Sequence, residues 1–516
     1  MAVLSRLAIA AGLACSILGQ QTPLSAPSSR EPAQTAVGGV TADVTKPIVD
    51  SETLQASIKI DALMKRAEKL YQIAEKSEHD YNHPTRVIGS AGHKATVKYV
   101  LDELKHLGNY YKVSTQEFPV TSGSVHESRL TVGDEVLKSA TPMGLTPATK
   151  DNEPVTGDLV LIANQGCQPT DFPAQVKGNI ALILRGNCPF GDKSSNAGKA
   201  GAVAAIIYNT DDDGLNGTLG DPIPEHVATF GIPGVAGKAI ANRLSHGETI
   251  PATAYIDAEL KKINTTNVIA QTSGGDPNNV VALGAHSDSV GEGPGINDDG
   301  SGTISLLEVA TQLTKYKVNN AVRFAWWAAE EEGLLGSNWY ANHLSEEENL
   351  KIRLFMDYDM MASPNFAYQI YDSRDKENPA GSQALRDLYI DWYTKQGLNY
   401  TFIEFDGRSD YVGFIEHGIP ASGIATGAEG IKTEEEAKVF GGVAGAWYDP
   451  CYHQLCDDVG NVNTTAFEVN TKLIAHSVAT YALSLEDFPK RTEAKTATMA
   501  QKKKTPFKYR GPKLVA

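Results

Sequence analysis

The stretch N-V-V-A-L-G-A-H-S-D at residues 279–288 decides the fold class of this chain. It begins as an apolar run of strand length and ends in His286 and Asp288. After a loop, the spacing of apolar residues predicts a helix from Gly302 to Leu313. Strands that alternate with helices indicate a mostly parallel sheet, and such sheets bind ligands at the carboxyl ends of their strands.

Two further apolar runs predict buried strands that end in acidic residues. A-V-R-F-A-W-W-A-A at 321–329 precedes Glu330, and L-F-M-D-Y-D at 354–359 ends in Asp359. The loop G-P-G-I-N-D-D-G-S-G and the segment D-P-C-Y-H-Q-L-C-D-D add more carboxylates and a histidine. We expect these groups to meet at one edge of the sheet. Nitrogen and oxygen ligands without thiolates suit zinc in a hydrolytic role.

The motifs together resemble those of the co-catalytic double-zinc aminopeptidases, the family of fungal aminopeptidase Y and secreted leucine aminopeptidase 2. The matching motifs are H-S-D-S-V, G-P-G-I-N-D-D-G-S-G, F-A-W-W-A-A-E-E, D-M-M-A-S-P-N, G-R-S-D-Y and P-C-Y-H-Q-L-C. An internal block resembles a protease-associated domain in R-G-N-C-P-F-G-D-K and A-G-A-V-A-A-I-I-Y-N. The resemblance implies an α/β fold, with a three-layer, doubly wound, mostly parallel sheet of the zinc exopeptidase (phosphorylase/hydrolase-like) type and an inserted β-rich protease-associated domain.

The resemblance also implies a role for individual residues. It implies two zinc ions, bridged by Asp298, with the ligand set His286, Asp298, Glu331, Asp359 and His453. Glu330 is then the general base, Asp288 orients His286, and Tyr452 steadies the oxyanion. The implied reaction releases N-terminal amino acids from peptides by a bridging-hydroxide mechanism.

Some assignments leave alternatives open. Three consecutive glutamates permit a shift of register, but the ungapped match of W-W-A-A-E-E-E-G-L-L-G-S favours Glu330 as the base. Met360 and Arg408 are expected to contact substrate, although a structural ion pair explains Arg408 nearly as well. Glu429 either favours a basic substrate residue or pairs within the fold. Ala425 stands where bacterial relatives carry an aromatic residue, so a strict preference for leucine does not carry over.

The composition limits the possible partners. With 46 basic and 62 acidic residues, the formal net charge is −16, which argues against nucleic acid because phosphate binding needs a basic face. The 516 residues exceed one ordinary domain, and 41% hydrophobic with 21% charged residues is typical of globular proteins. We expect a monomer that acts on peptide substrates with a free N-terminus.

The chain is expected to divide into six parts. An apolar run from Leu7 to Leu18, preceded by Arg6, is typical of a signal peptide and predicts secretion or delivery to a vacuole lumen. The C-terminal tail is basic and is expected to be disordered or to be cut near Lys490. The parts are a signal peptide (1–19), a pro-segment or flexible region (20–50), the first catalytic part (51–122), the protease-associated domain (123–263), the second catalytic part with the dizinc site (264–489) and the tail (490–516).

Cysteines and sequons agree with export. Four cysteines remain after removal of the signal peptide, which suits two disulfides in an oxidising compartment. The local pairings Cys167–Cys188 and Cys451–Cys456 are favoured, although the sequence alone allows three connectivities. The predicted glycosylation sites are Asn216, Asn264, Asn399 and Asn463.

Two other functions share these motifs. A double-zinc carboxypeptidase of related fold needs a basic pocket for the substrate carboxylate, and no arginine cluster accompanies the ligands. A non-catalytic, receptor-like ectodomain does not need the five ligands and the base that this sequence retains. After the signal peptide, no stretch stays apolar for the roughly 20 residues of a membrane-spanning helix.

Overall fold

The structure is a computed structural model in which residues 46–494 are described, except residues 211, 213 and 216. The predicted signal peptide, nearly all of the predicted pro-segment, most of the basic tail and the sequon at Asn216 lie outside the described residues. Within the described range, no helix combines the length and the apolar character that crossing a membrane requires.

Helices and strands alternate along most of the described chain. The helices are Ser51–Ser57 (α1), Ile60–Ala74 (α2), Glu78–Tyr81 (α3), Ala91–His106 (α4), Phe190–Lys199 (α5), Gly234–Ser245 (α6), Gly300–Leu313 (α7), Leu335–Asn342 (α8), Glu346–Lys351 (α9), Ser382–Lys395 (α10), Tyr411–Glu416 (α11), Glu434–Phe440 (α12) and Thr464–Leu483 (α13). The strands are Tyr111–Val132 (β1), Glu135–Val136 (β2), Thr141–Pro142 (β3), Val155–Leu161 (β4), Ile180–Leu184 (β5), Ala204–Tyr208 (β6), Thr229–Ile232 (β7), Pro251–Thr272 (β8), Asp276–His286 (β9), Asn320–Trp327 (β10), Ile352–Tyr358 (β11), Gln369–Tyr371 (β12), Thr401–Ile403 (β13) and Ala421–Ala425 (β14).

The larger part of the molecule is built on a sheet with strand order β13-β12-β14-β11-β9-β10-β8-β1. β9 lies in the middle and is parallel to β10 on one side and to β11 on the other. β14 continues the parallel order beside β11, whereas β12 and β8 are antiparallel to β14 and β10. The prediction of a mostly parallel sheet is therefore confirmed for its centre, and the antiparallel pairs lie toward its edges.

Helices cover both faces of this central sheet. Alternate residues of a strand point to opposite faces, and β9 divides its side chains in this way. Val281 and Leu283 belong to a core with α2, α7 and α13, whereas Val280 and Ala282 belong to a core with α8 and α11. Strands that are buried on both faces read as continuous apolar runs, which is why the sequence predicts β9, β10 and β11 so directly. The three-layer, doubly wound arrangement is confirmed.

A smaller sheet continues from the far end of β8. β4 pairs antiparallel with β8, β4 to β7 lie parallel to one another in chain order, and β3 closes the edge. Two apolar clusters pack on this sheet, together with α5 and α6, so this part has helices as well as the predicted strands.

The two parts of the molecule share one long ribbon. β1 and β8 pair antiparallel from Tyr111 opposite Thr272 to Val132 opposite Ala252, and they extend from the larger sheet into the smaller one. The limits that the sequence predicts for the inserted domain, at residues 123 and 263, fall inside these paired strands. The chain thus passes between the two parts as continuous strand in both directions rather than through linkers.

Candidate metal centre

The loops at one edge of the central sheet bring together all five predicted metal ligands. β9 ends at His286 itself, Glu331 follows β10, and Asp359 is the residue after β11. Asp298 lies in the loop that precedes α7, and His453 lies between the two cysteines of the segment before α13. Strand order and strand direction therefore place side chains from distant positions in one cluster.

Asp298 lies between the two histidines of the cluster. Its Oδ1 is 3.3 Å from Nε2 of His286, and its Oδ2 is 3.1 Å from Nε2 of His453. Asp359 Oδ1 is 3.8 Å from the first imidazole, and Glu331 Oε2 is 3.1 Å from the second. Ligand atoms within 4.8 Å of one another occur in three sets, which are His286 with Asp298 and Asp359, Asp298 with Glu331 and His453, and His286 with Glu330 and Glu331.

Buried atoms in the cluster lack hydrogen-bond partners among the described residues. They include both ring nitrogens of His286, Oε1 of Glu331 and Oδ1 of Asp359. Buried polar atoms of folded proteins are nearly always paired with a protein group, a water molecule or an ion. A set of imidazole and carboxylate donors without thiolates fits zinc in a catalytic role.

The electrostatics of the cluster favour a bound cation. Burial, together with neighbouring carboxylates, raises the pKa of Asp359 to about 7 and that of Glu330 well above its usual value. Burial acts to lower the pKa of His286 and of His453, but the surrounding carboxylates outweigh it and raise both pKa values. Carboxylates that resist ionisation and histidines that hold protons are signs of uncompensated negative charge, which a metal ion would offset.

Asp288 joins the loop after β9 to the loop after β10. Its buried carboxylate accepts the backbone N–H of Glu330 at 3.3 Å and that of Glu331 at 3.4 Å. Its Oδ1 lies 3.8 Å from Nδ1 of His286, which is longer than a hydrogen bond. The residue predicted to orient the histidine thus also fixes the backbone of the two glutamates. Glu330 Oε2 lies 3.9 Å from Nε2 of His286.

Unusual backbone conformations surround the cluster. Ala329, Leu334, Met360 and His453 all have positive φ angles, between 56° and 61°, which residues with a side chain seldom adopt. Such conformations cost about 1–3 kcal/mol each and persist where the surrounding structure enforces them, as happens often at active sites. They turn the chain sharply beside the predicted ligands.

Asp299 ties three segments together, although the sequence analysis assigns it no role. Its carboxylate accepts the backbone N–H groups of His286 at 3.1 Å, Gly302 at 2.8 Å and Met360 at 3.1 Å. It also caps the N-terminus of α7. The predicted helix begins at Gly302, three residues after Asp299, whereas the observed helix begins at Gly300, so the cap and the other two contacts become visible only in the structure.

Asp457 fixes the loop that carries Asp298. It accepts the backbone N–H of Asn297 at 2.9 Å and that of Asp298 at 3.0 Å. Asp449 accepts the Asn297 side chain at 2.7 Å. Both aspartates flank the segment that carries His453, so two ligand loops are bound to each other.

A buried arginine supports the loop between β9 and α7. The Arg86 guanidinium is fully buried and donates to the backbone carbonyl oxygens of Ser287, Pro294 and Gly295, with a distance of 2.8 Å to Pro294. It comes from the segment between α3 and α4, far from the ligands in sequence. A single arginine in a loop carries no sequence signal of burial, so this contact is visible only in the structure.

A cavity opens beside the cluster. The predicted substrate residues Met360 and Arg408 line it, as does Tyr452, whose ring stacks on His453 with centroids 3.8 Å apart. The cavity is also lined by Gln369, Tyr371, Ile403 and Ala425 and by the acidic residues at 404 and 406. The cavity can therefore accept a side chain next to the cluster.

Both predicted disulfides are present, Cys167–Cys188 and Cys451–Cys456. The second encloses Tyr452 and His453. Among the predicted glycosylation sites, Asn264 and Asn399 are exposed, whereas Asn463 caps α13 by accepting the backbone N–H groups of residues 465 and 466.

Comparison with known proteins agrees with this geometry. The profile of peptidase family M28 matches residues 267–478, and that of the PA domain matches residues 155–240. Aminopeptidase Y of Saccharomyces cerevisiae is 52% identical over 482 residues, covering 91% of this chain and 88% of that protein. Leucine aminopeptidase 2 of Trichophyton equinum is 45% identical over 468 residues, covering 89% of this chain and 92% of that protein.

Solved structures show the same fold. The aminopeptidase from Aneurinibacillus sp. strain AM-1 matches with a TM-score of 0.69 at 29% identity, covering 86% of this chain and all of that one. BSAP, a zinc aminopeptidase from Bacillus subtilis, matches with a TM-score of 0.59 at 25% identity, covering 83% of this chain and 97% of that one. The resemblance that the motifs indicate is thus confirmed. The chain belongs to peptidase family M28, contains a PA domain and is an aminopeptidase.

Proposed function

We propose that this aminopeptidase holds two zinc ions and releases the first residue of peptides whose amino group is free. The observation that carries the proposal is the position of Asp298, which directs one oxygen toward each histidine. His286 and Asp359 would hold one ion with it, and Glu331 and His453 the other. The similar fold of BSAP, named a zinc aminopeptidase, supports the choice of metal.

Charge supports two ions rather than one. Two zinc ions bring four positive charges, and the carboxylates of Asp298, Glu331 and Asp359 offset three of them. The cluster then comes close to neutral, which lowers the cost of burying it. When bound, zinc supplies a water molecule of lowered pKa and a Lewis acid for the substrate carbonyl group.

Glu330 is the proposed general base. It takes a proton from the attacking water and later returns it to the leaving amine. Burial raises the pKa of Glu330 well above its usual value, which suits a residue that must hold a proton between these two steps. Asp288 keeps it in place through the backbone N–H at 3.3 Å.

Tyr452 and the acidic cluster orient the substrate. The Tyr452 hydroxyl donates to the carbonyl oxygen of the scissile bond as negative charge develops there. The positively charged substrate amino group rests among the carboxylates, so cleavage is confined to the first peptide bond. The first side chain enters the cavity beside Met360 and Ala425.

The alternative of a carboxypeptidase receives little support. Arg408 is the single arginine or lysine among the described residues that line the cavity, and it lies 2.9 Å from Glu429. A substrate carboxylate would have to compete with that glutamate. For the location of the enzyme, the predicted signal peptide and the two disulfides support an oxidising compartment, either outside the cell or in a vacuole lumen.

Metal analysis combined with two glutamate variants tests the proposal. We expect two zinc ions per chain, loss of activity on chelation, and hydrolysis of leucine amide but not of its N-acetylated form. Glu330→Gln should keep both ions while kcat falls about 10²- to 10⁴-fold. Glu331→Gln, the matched control next to it, should instead lose metal. Near-normal turnover of purified Glu330→Gln, or equal hydrolysis of the acetylated substrate, contradicts the proposal.

A further inference from the structure

We infer that Glu429 is a positioning residue for catalysis, acting through Arg408 on the hydroxyl group of Tyr452. The inference rests on the proposed function, in which that hydroxyl donates to the substrate carbonyl oxygen. The inference adds a pair of side chains, Glu429 and Arg408, that determines where the hydroxyl hydrogen points.

Glu429, Arg408 and Tyr452 form a row of contacts at the cavity. Arg408 Nη2 lies 2.9 Å from Oε1 and 3.2 Å from Oε2 of Glu429. The same nitrogen donates to the Tyr452 hydroxyl oxygen at 3.4 Å. The arginine comes from the loop before α11 and the glutamate from the loop after β14, so the ion pair also joins two loops of the chain.

The contact with Arg408 sets the direction of the phenolic hydrogen. A guanidinium group has only donors, so the Tyr452 oxygen must accept from it and must direct its own hydrogen elsewhere. Stacking on His453 holds the ring plane beside the ligand cluster.

Glu429 keeps Arg408 in the position that this contact requires. Arginine has a long side chain with many rotamers, and pairing with the Glu429 carboxylate selects one of them. The carboxylate also neutralises the guanidinium charge. An unpaired cation at the cavity would repel the ammonium group of the substrate as it approaches.

A different role for Glu429 is recognition of a basic first residue. In the structure, however, both of its oxygens face Arg408, at 2.9 Å and 3.2 Å. A lysine side chain would have to displace that pair. The two roles predict different results with lysine and leucine substrates, so they can be separated by experiment.

A double-mutant cycle on the full-length, zinc-loaded enzyme tests the inference. Glu429→Gln should lower kcat for leucine amide about tenfold, with KM changed less than about twofold. In the Tyr452→Phe background, the same change should lower kcat less than about twofold further, because its target hydroxyl is absent. Lysine amide should show the same losses, and zinc content should not change. Glu416→Gln, an exposed glutamate on α11, is the control and should match wild type.

Several results would overturn the inference. The inference is contradicted if Glu429→Gln leaves kcat unchanged. It is also contradicted if Glu429→Gln lowers kcat as much in the Tyr452→Phe background as in the wild type, or if the loss is confined to lysine amide. If wild-type enzyme loaded with zinc fails to hydrolyse free amino amides, the proposed function fails, and this inference fails with it. If the wild type is active but the effects of Glu429→Gln and Tyr452→Phe on kcat are additive, the proposed function stands and only this inference fails.

Discussion

Asp299 accepts the backbone N–H of His286 through Oδ2 at 3.1 Å. The other oxygen of the same carboxylate accepts the N–H groups of Gly302, at the start of α7, and of Met360, after β11. One buried side chain therefore fixes three segments around the cluster. Two of them carry or adjoin proposed zinc ligands.

We expect Asp299→Asn to weaken zinc binding. Asparagine keeps one acceptor oxygen for Gly302 and Met360, but its amide donor would face the N–H of His286. Partners that orient metal ligands typically change metal affinity by about 10- to 100-fold, so the zinc dissociation constant should rise at least about tenfold in competition with a chelator. Asp50→Asn, which alters the cap of α1, is the matched control and should not change it. Equal zinc affinity in both variants would refute the role of Asp299.

The sequence predicts the ligands of this centre better than their supports. His286, Glu331 and Asp359 stand at or near the ends of apolar runs, and a rule about parallel sheets brings those ends together. Asp457 has no such signal. It binds the N–H of Asn297, which lies 160 residues earlier in the chain, so its role depends on which loops meet.

The limits predicted for the inserted domain, residues 123 and 263, lie within strands rather than at their ends. β1 and β8 are strands of 22 residues each, and they stay paired from one sheet to the other across a single irregularity in register between Val125 and Glu127. A change of composition marks the inserted block, but hydrogen bonding between the strands continues across it. Only the pairing partner of β8 changes, from β10 to β4.

Replacement of Arg86 should destabilise the whole protein. Arg86→Met leaves the carbonyl oxygens of Ser287, Pro294 and Gly295 without their donor in a buried site. Each buried acceptor that is left without a donor costs about 1–3 kcal/mol, so three of them predict a loss of at least about 3 kcal/mol. We expect a loss of that size in the free energy of unfolding, measured by urea denaturation. Arg243→Met, at an exposed pair with Glu248, should leave the midpoint nearly unchanged. A small loss for Arg86→Met would show that the loop is held by other contacts.

The two disulfides should differ in what their removal affects. The Cys451–Cys456 pair encloses His453 and Tyr452, so replacing both cysteines with serine should weaken zinc binding and lower kcat. The Cys167–Cys188 pair encloses a longer loop remote from the ligands in sequence, with a separation of 21 residues against 5. Loop entropy then gives about 3 kcal/mol for the longer loop and about 2 kcal/mol for the shorter one. In zinc titration, the variant without Cys451–Cys456 should show the larger loss of affinity. In urea denaturation, the variant without Cys167–Cys188 should show the larger loss of stability. The same order in both measurements would contradict this prediction.

Stability should fall in weak acid because of His476. Burial, with a smaller contribution from Lys395, lowers the pKa of its imidazole to about 4, and Nδ1 lies 2.7 Å from Ser51 Oγ. The unfolded chain has a histidine pKa of about 6.5, so between pH 6.5 and pH 4 it binds one proton more than the folded chain. The contribution of the neutral imidazole is therefore complete above about pH 6.5 and is lost as the pH falls toward 4.

The size of this effect can be measured by difference. Between pH 7 and pH 5, His476 should account for a loss of about 2 kcal/mol in the free energy of unfolding. In urea denaturation, the free energy of unfolding of His476→Gln should differ between pH 7 and pH 5 by that amount less than the free energy of unfolding of the wild type does. The difference between the two proteins cancels other groups that titrate in this range. Parallel pH dependences would contradict the assignment.

Ala425 should determine which first residues the cavity accepts. It lies opposite Gln369 in the pairing of β12 with β14, and both line the cavity with Met360 and Ile403. A phenylalanine at position 425 would occupy space that a long substrate side chain needs. Each methylene group of a substrate that a pocket no longer accommodates costs about 1–3 kcal/mol of transition-state binding. Because the ring would exclude several such groups, kcat/KM for leucine and lysine amides should fall at least about tenfold.

Alanine amide provides the control for Ala425→Phe within the same variant. Its methyl group does not reach the far wall, so its kcat/KM should change less than about threefold. Zinc content of the variant should remain close to that of the wild type, because Ala425 lines the cavity but is not a proposed ligand. A parallel fall for alanine, leucine and lysine amides would mean that the substitution disturbs the zinc ligands. In that case Ala425 would not set the size limit for the first side chain.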